Sequence, residues 1–139
     1  MNDIPALIIP KAQFETVLAH CLGERPYEAC GLLVGKDGRI SEVRPTVNAL
    51  RSPTCYAVEP REQLKVIRDV EARGLEMVGI YHSHVETEPY PSFTDVQSAE
   101  ESGWDVLYLI VGLGMEPPAA RVFRLTGGEI VEKELRIGE

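Results

Sequence analysis

Apolar residues in this 139-residue chain fall into short blocks of two kinds. Ala6–Ile9, Cys30–Val34 and Val106–Leu113 are continuous runs of strand length, bounded by proline, glycine or charged residues. Between Pro10 and Gly23 the spacing changes: Phe14, Val17, Leu18, Cys21 and Leu22 fall on one stripe of a helix. Pro60 opens a second helix, ended by Gly74, in which Leu64, Ile67 and Val70 face inward together with Val66. Leu75–Tyr81 reads as a strand running directly into His82, and Thr94–Ser102 as a third helix closed by Gly103. Lys36-Asp37-Gly38 folds Cys30–Val34 back on Arg39–Val47. Cys55–Val58 predicts another short strand, and Arg121–Leu125 with Ile130–Leu135 a hairpin across Thr126-Gly127-Gly128. With no repeat, low-complexity segment or linker, residues 1–139 predict one α/β domain. Its mixed β-sheet would be flanked by about three helices.

Composition narrows the partners. At 44% hydrophobic and 26% charged residues the balance is that of a globular domain, and the length allows one real core. Lys plus Arg total 14 against 22 Asp plus Glu, a formal charge of -8. That argues against nucleic-acid phosphates or an anionic membrane surface as the main partner, and is compatible with a basic protein partner. Ala6–Ile9 is far too short for a signal-peptide core or a membrane span, so a cytoplasmic home is expected. Cys21, Cys30 and Cys55 are odd in number and lack the spacing of a disulfide framework, which reads as reduced thiols.

The chemistry concentrates in HSHVETEPYPSFTD, residues 82–95. Alternate side chains of a strand share a face, so His82 and His84 can reach one ion from one backbone edge. Asp95, in the first turn of the following helix, could supply a third ligand, and catalytic zinc sites use three protein ligands. Ser92 and Asp95 also fit the capping-box pattern, which needs no metal, and a single histidine at a strand end is usually structural. An H-x-H pair just ahead of a carboxylate is less ordinary. H-E-x-x-H does not occur, and the H-x-E half of a zinc deaminase at His84-Val85-Glu86 lacks the downstream P-C-x-x-C. His20, alone on the first helix, reads as structural. Cys30, inside an apolar run, reads as a buried thiol rather than a nucleophile. Ser83 faces the opposite side of the strand from the histidines, while Tyr81, Trp104 and Tyr108 are core or rim residues.

These residues resemble the JAMM (MPN-plus) zinc metallopeptidases. Their motif is an upstream glutamate, then H-[ST]-H, seven residues, serine, two residues and aspartate. His82-Ser83-His84, residues 85–91, Ser92, Phe93-Thr94 and Asp95 meet that spacing, and Glu28-Ala29-Cys30-Gly31-Leu32-Leu33-Val34-Gly35 resembles the upstream element. Val85 stands where the family often has proline. The resemblance implies an MPN fold, with one Zn²⁺ per chain held by His82, His84 and Asp95. Glu28 would be the general acid–base, and Ser92 would donate to the oxyanion. It implies hydrolysis of the amide bond after the C-terminal glycine of a ubiquitin-like protein. For a chain this short, that protein would be a sulfur carrier with a small adduct, its extended tail laid along a strand edge. The competing classes are a non-catalytic MPN scaffold, which typically lacks ligands, and a small-molecule metal-dependent amidohydrolase.

Overall fold

The computed structural model describes residues 4–138. Its elements are β1 (Ala6–Ile9), α1 (Lys11–Gly23), β2 (Cys30–Lys36), β3 (Arg39–Thr46) and α2 (Pro60–Ala72). They continue as β4 (Glu76–His84), α3 (Phe93–Ser102), β5 (Leu107–Gly112), β6 (Ala119–Arg124) and β7 (Val131–Ile137). The three helices stand where the periodicity places them. Asp37 and Gly38 both take positive φ, 52° and 82°, in the tight turn that joins β2 to β3.

The strands form the mixed sheet that the sequence predicts, but its edges, on which the sequence is silent, do not stay open. They close into a barrel in the order β1-β3-β2-β4-β5-β6-β7. Closure depends on β1, which runs parallel to β7 from Ala6↔Glu134 to Ile9↔Ile137 and meets β3 at Ile8↔Arg39. Hydrophobic periodicity reveals strands but not which distant edges pair, so the ring was invisible to it. The pairing is otherwise mixed. β4 is antiparallel to β2 and parallel to β5, the latter through the α3 crossover.

Two apolar clusters line the two faces of the barrel wall. Leu7, Ile9, Leu33, Tyr81, Leu107 and Leu109 pack with Val17 and Cys21 of α1. Leu32, Val34, Ile80, Tyr108 and Ile110 pack under Val66 and Val70 of α2 and Ala99 of α3. The alternation Leu32/Leu33 and Tyr108/Leu109 assigns neighbouring residues to opposite faces, which is why β2 and β5 read as unbroken apolar runs. α2 is rotated from its expected setting. Leu64 is 48% exposed while Val66 is buried, because two residues along a helix turn the side chain through about 200°. Cys55–Val58 is a loop rather than a strand: its one β-bridge, Asn48↔Val58, is isolated from the barrel strands, and it meets β4 through side chains, Tyr56 stacking on His82. No helix among the described residues is long and apolar enough to cross a membrane.

Gly31 of β2 lies opposite Tyr81 of β4, and a Cβ at position 31 would run into the Tyr81 ring. That ring is fully buried, and its hydroxyl hydrogen-bonds to Nδ1 of His20 on α1 at 2.7 Å. His20 is thus structural, as its sequence context suggested. We expect Gly31→Ala to destabilise the protein by about 1–3 kcal/mol through overpacking. Urea unfolding would measure this, and a midpoint equal to wild type would show that Tyr81 has room to move.

Candidate metal centre

Strand β4 carries the H-x-H pair to its last residue, His84. Since Ile80 belongs to the face under the helices, the two-residue repeat puts His82 and His84 there too, facing α3. The first turn of α3 supplies the third group. Ser92 is its N-cap: the Ser92 hydroxyl oxygen accepts the Asp95 N–H, and Oδ2 of Asp95 accepts the Ser92 N–H, both at 3.0 Å. The capping box and the ligand set are therefore compatible, because the cap aims the carboxylate. Oδ2 of Asp95 lies 3.2 Å from Nε2 of His82 and 2.9 Å from Nε2 of His84. The two Nε2 atoms are 3.2 Å apart.

This triangle matches a metal. Donors bonded tetrahedrally at 2.0–2.1 Å stand about 3.3 Å apart, close to all three edges observed. Tautomer supports the same reading. Nδ1 of His84 lies 2.9 Å from the Glu88 carbonyl oxygen; a carbonyl only accepts, so Nδ1 carries the proton and Nε2 presents its lone pair to the centre. The carbonyl is held by close packing of its loop. A Cβ at Gly112, the residue paired with His84, would meet Pro89 at 2.6 Å, and one at Gly114 would strike the Glu86 carbonyl. His82 is fully buried and stacks on Tyr56, with ring centroids 4.2 Å apart.

Charges are arranged to suit a cation. Burial lowers the pKa of His82, keeping it neutral despite the hydrogen bond to Asp95. At His84 burial is outweighed by the Asp95 carboxylate and the Glu88 carbonyl, and the pKa rises. Asp95 is held well below the usual carboxylate range. Burial opposes this, but the two histidines and the Ser92 N–H outweigh it.

Glu28 is not the surface acid that its position before β2 would ordinarily suggest. It is 3% exposed, and its Oε1 is buried without a hydrogen-bond partner. Burial pushes its pKa up to about 8, with His84 opposing and Asp95 reinforcing. Glu28, His84 and Ser92 line one cleft of about 460 Å³, together with Pro26, Pro53, Thr54 and the segment Val85–Thr87. All five residues singled out by the motif thus gather at one end of the barrel. Cys30 is instead fully buried beside Thr46, its thiol pushed up to about 11 chiefly by burial, and it is no nucleophile. The roles of Asn48 and Tyr56 were not visible in the sequence: Asn48 lies in a stretch with no period, and Tyr56 sits in the run Cys55–Val58 that reads as a strand.

Fold and site together define a small β-barrel protein with a candidate mononuclear metal centre, open to a cleft, between a strand end and a helix start. The family described as prokaryotic homologs of the JAB domain matches residues 10–126, and the chain belongs to it. It is similar to the CysO-cysteine peptidase of Mycobacterium tuberculosis, 39% identical over 99% of this chain and 95% of that one. It is also similar to the desampylase of Pyrococcus furiosus, 38% identical over 76% of this chain and 73% of that one. A solution structure of a protein from Desulfitobacterium hafniense superimposes with a TM-score of 0.86 at 34% identity, covering 96% and 93% of the two chains.

The geometry predicts one divalent metal ion per chain, with His84→Ala losing most of it in elemental analysis after dialysis. Equal metal in both proteins would remove His84 from the site. A second prediction concerns the metal-free protein. The folded pKa of Glu28 lies above its unfolded value, so its contribution is fully present below about pH 4.5 and is lost as pH rises through about 8. Between about pH 5 and about pH 9, metal-free wild type should therefore lose stability relative to Glu28→Gln. Parallel denaturation curves across that range would mean that Glu28 titrates normally.

Proposed function

We propose that this chain is a zinc-dependent peptidase that hydrolyses the amide bond after the C-terminal glycine of a ubiquitin-like carrier protein. Residues 1–139 would act as a single metallopeptidase domain. The observation that carries this reading is the triangle of two imidazole Nε2 atoms and one carboxylate oxygen, with a buried, partnerless glutamate on the same cleft. Kinship with proteins named CysO-cysteine peptidase and desampylase supports the substrate class. A scaffold module would have no use for a buried carboxyl oxygen without a partner, which is costly unless it serves chemistry.

His82, His84 and Asp95 would hold the zinc, with nitrogen and oxygen donors that suit this ion. When bound, Zn²⁺ supplies a Lewis acid that polarises the scissile carbonyl and acidifies water. Glu28 takes the proton of the attacking water, its basicity raised by burial, and returns it to the departing amine. Ser92 keeps its hydroxyl proton free, because its oxygen serves as acceptor for the Asp95 N–H. That proton is donated to the developing oxyanion, a contribution of about 3 kcal/mol.

The closed barrel alters how substrate would approach. Every described strand has neighbours on both sides, so the extended tail would lie in the cleft lined by Pro26, Pro53 and Val85–Thr87 rather than along a free strand edge. A Gly-Gly tail passes such a channel without side-chain clashes. The free thiols of Cys21, Cys30 and Cys55 fit a cytoplasmic, reducing site of action.

Glu28→Gln preserves size and removes the proton acceptor. It should keep its zinc while turnover falls at least about 100-fold; hydrolysis at the wild-type rate would exclude Glu28 as the base. For the substrate, steady-state rates on a carrier–cysteine or carrier–lysine conjugate should exceed those on di-ubiquitin. They should collapse when the carrier's final glycine becomes valine. Faster di-ubiquitin cleavage, or indifference to the valine, would contradict the carrier assignment and leave the metal site standing.

A further inference from the structure

Asn48 lies just beyond β3, is 5% exposed, and belongs to no motif. Its carboxamide makes four hydrogen bonds. Nδ2 donates to the carbonyl oxygens of Glu28 (3.0 Å) and Cys55 (3.1 Å), and Oδ1 accepts the N–H groups of Leu50 (3.0 Å) and Ala57 (3.1 Å). Two donors and two acceptor sites are the whole capacity of an asparagine side chain. Three of the four bonds organise residues 49–57, which have no helix or strand of their own. The fourth reaches across to the backbone of the glutamate.

The ordered loop returns the favour. The Ser52 carbonyl accepts the Glu28 N–H at 2.9 Å, so both backbone polar groups of Glu28 are satisfied by Asn48 or by the segment that Asn48 ties down. The carboxylate end has no such support, since Oε1 has no hydrogen-bond partner. The same segment brings Tyr56 onto the face of His82 and contributes Pro53 and Thr54 to the cleft wall.

We propose that Asn48 is a positioning residue. Through its carboxamide it fixes where Glu28 enters the cleft, acting on the backbone because Oε1 of the carboxylate has no hydrogen-bond partner among the described residues. This rests on Glu28 being the base. Buried polar hubs that satisfy every atom rigidify their surroundings, and a misplacement of about 1 Å in a reacting group is worth about 100-fold in rate. Without the Nδ2 donor the Glu28 carbonyl loses its partner and the base is free to drift from the water that it must deprotonate.

Two substitutions separate positioning from folding. Asn48→Asp is isosteric and keeps the acceptor for Leu50 and Ala57 while losing both donors; Asn48→Ser is neutral and too short to bridge. Both are to be compared with wild type and Glu28→Gln on a carrier–lysine conjugate, with rates normalised to bound zinc. We expect kcat to fall at least about 10-fold in both Asn48 variants, with KM unchanged and one zinc retained. Amide hydrogen exchange on the metal-free proteins gives a readout independent of turnover. In Asn48→Asp the Leu50 and Ala57 amides should stay protected; in Asn48→Ser they should accelerate together with the Glu28 amide, whose acceptor, the Ser52 carbonyl, lies in the loop they hold. Wild-type kcat per zinc-loaded molecule in Asn48→Ser overturns the proposal, because any loss in Asn48→Asp would then come from the added charge. Wild-type kcat in both variants beside an inactive Glu28→Gln overturns the latch alone. An active Glu28→Gln overturns the base assignment and the latch with it.

Discussion

The pairing of β4 between β2 and β5 is the constraint on which the site depends. Cys30 pairs with His82, and His84 pairs with Gly112. The first contact brings the segment that carries Glu28 alongside the histidines. The second places His84 against the glycine that lets the following loop pack closely enough to present the Glu88 carbonyl. Ser83, between the two histidines, points to the other face as its sequence position implied. It fastens the same junction, its N–H donating to the Ala29 carbonyl and its hydroxyl accepting the Ala29 N–H. A one-residue slip of β4 would turn both imidazoles into the barrel and Ser83 out of it.

The centre reconciles two demands that usually conflict. Metal donors must be buried to be held rigidly, yet buried charge is expensive unless it is paired. Here Asp95 is ionised by its contacts with the histidines and the helix cap, so the carboxylate is satisfied before any cation arrives. Glu28 is held differently: its Oε1 is buried with no hydrogen-bond partner among the described residues, and burial in low dielectric raises its pKa. Its backbone, by contrast, is held at both ends.

Much of this was legible in the sequence. The three helices, the β2–β3 turn and the strand leading into His82 follow from periodicity and turn chemistry. The ligand trio follows from H-x-H and a carboxylate at a helix start. The capping box and the candidate metal set looked like rivals in sequence and are compatible in space, because one Asp95 oxygen accepts the Ser92 N–H and faces both imidazole Nε2 atoms. Barrel closure was illegible, since the β1–β7 contact joins the chain ends and leaves no periodic trace. So was the loop of residues 47–58. Its order comes from the side chain of Asn48 rather than from a backbone ladder; Asn48 looks locally like an ordinary loop residue, and the apolar run that holds Tyr56 imitates a strand. Glu28 stood out only through a family resemblance, because burial depends on what folds over it.

The proposed function requires one metal ion among His82, His84 and Asp95 at the head of the Glu28 cleft. The direct measurement is a crystal structure of the zinc-loaded protein with anomalous data collected on both sides of the zinc absorption edge. One peak per chain is expected, at about 2.0–2.2 Å from Nε2 of His82, Nε2 of His84 and an Asp95 carboxylate oxygen. A zinc peak elsewhere on the chain, or none among these three residues at full occupancy of zinc in solution, would contradict it.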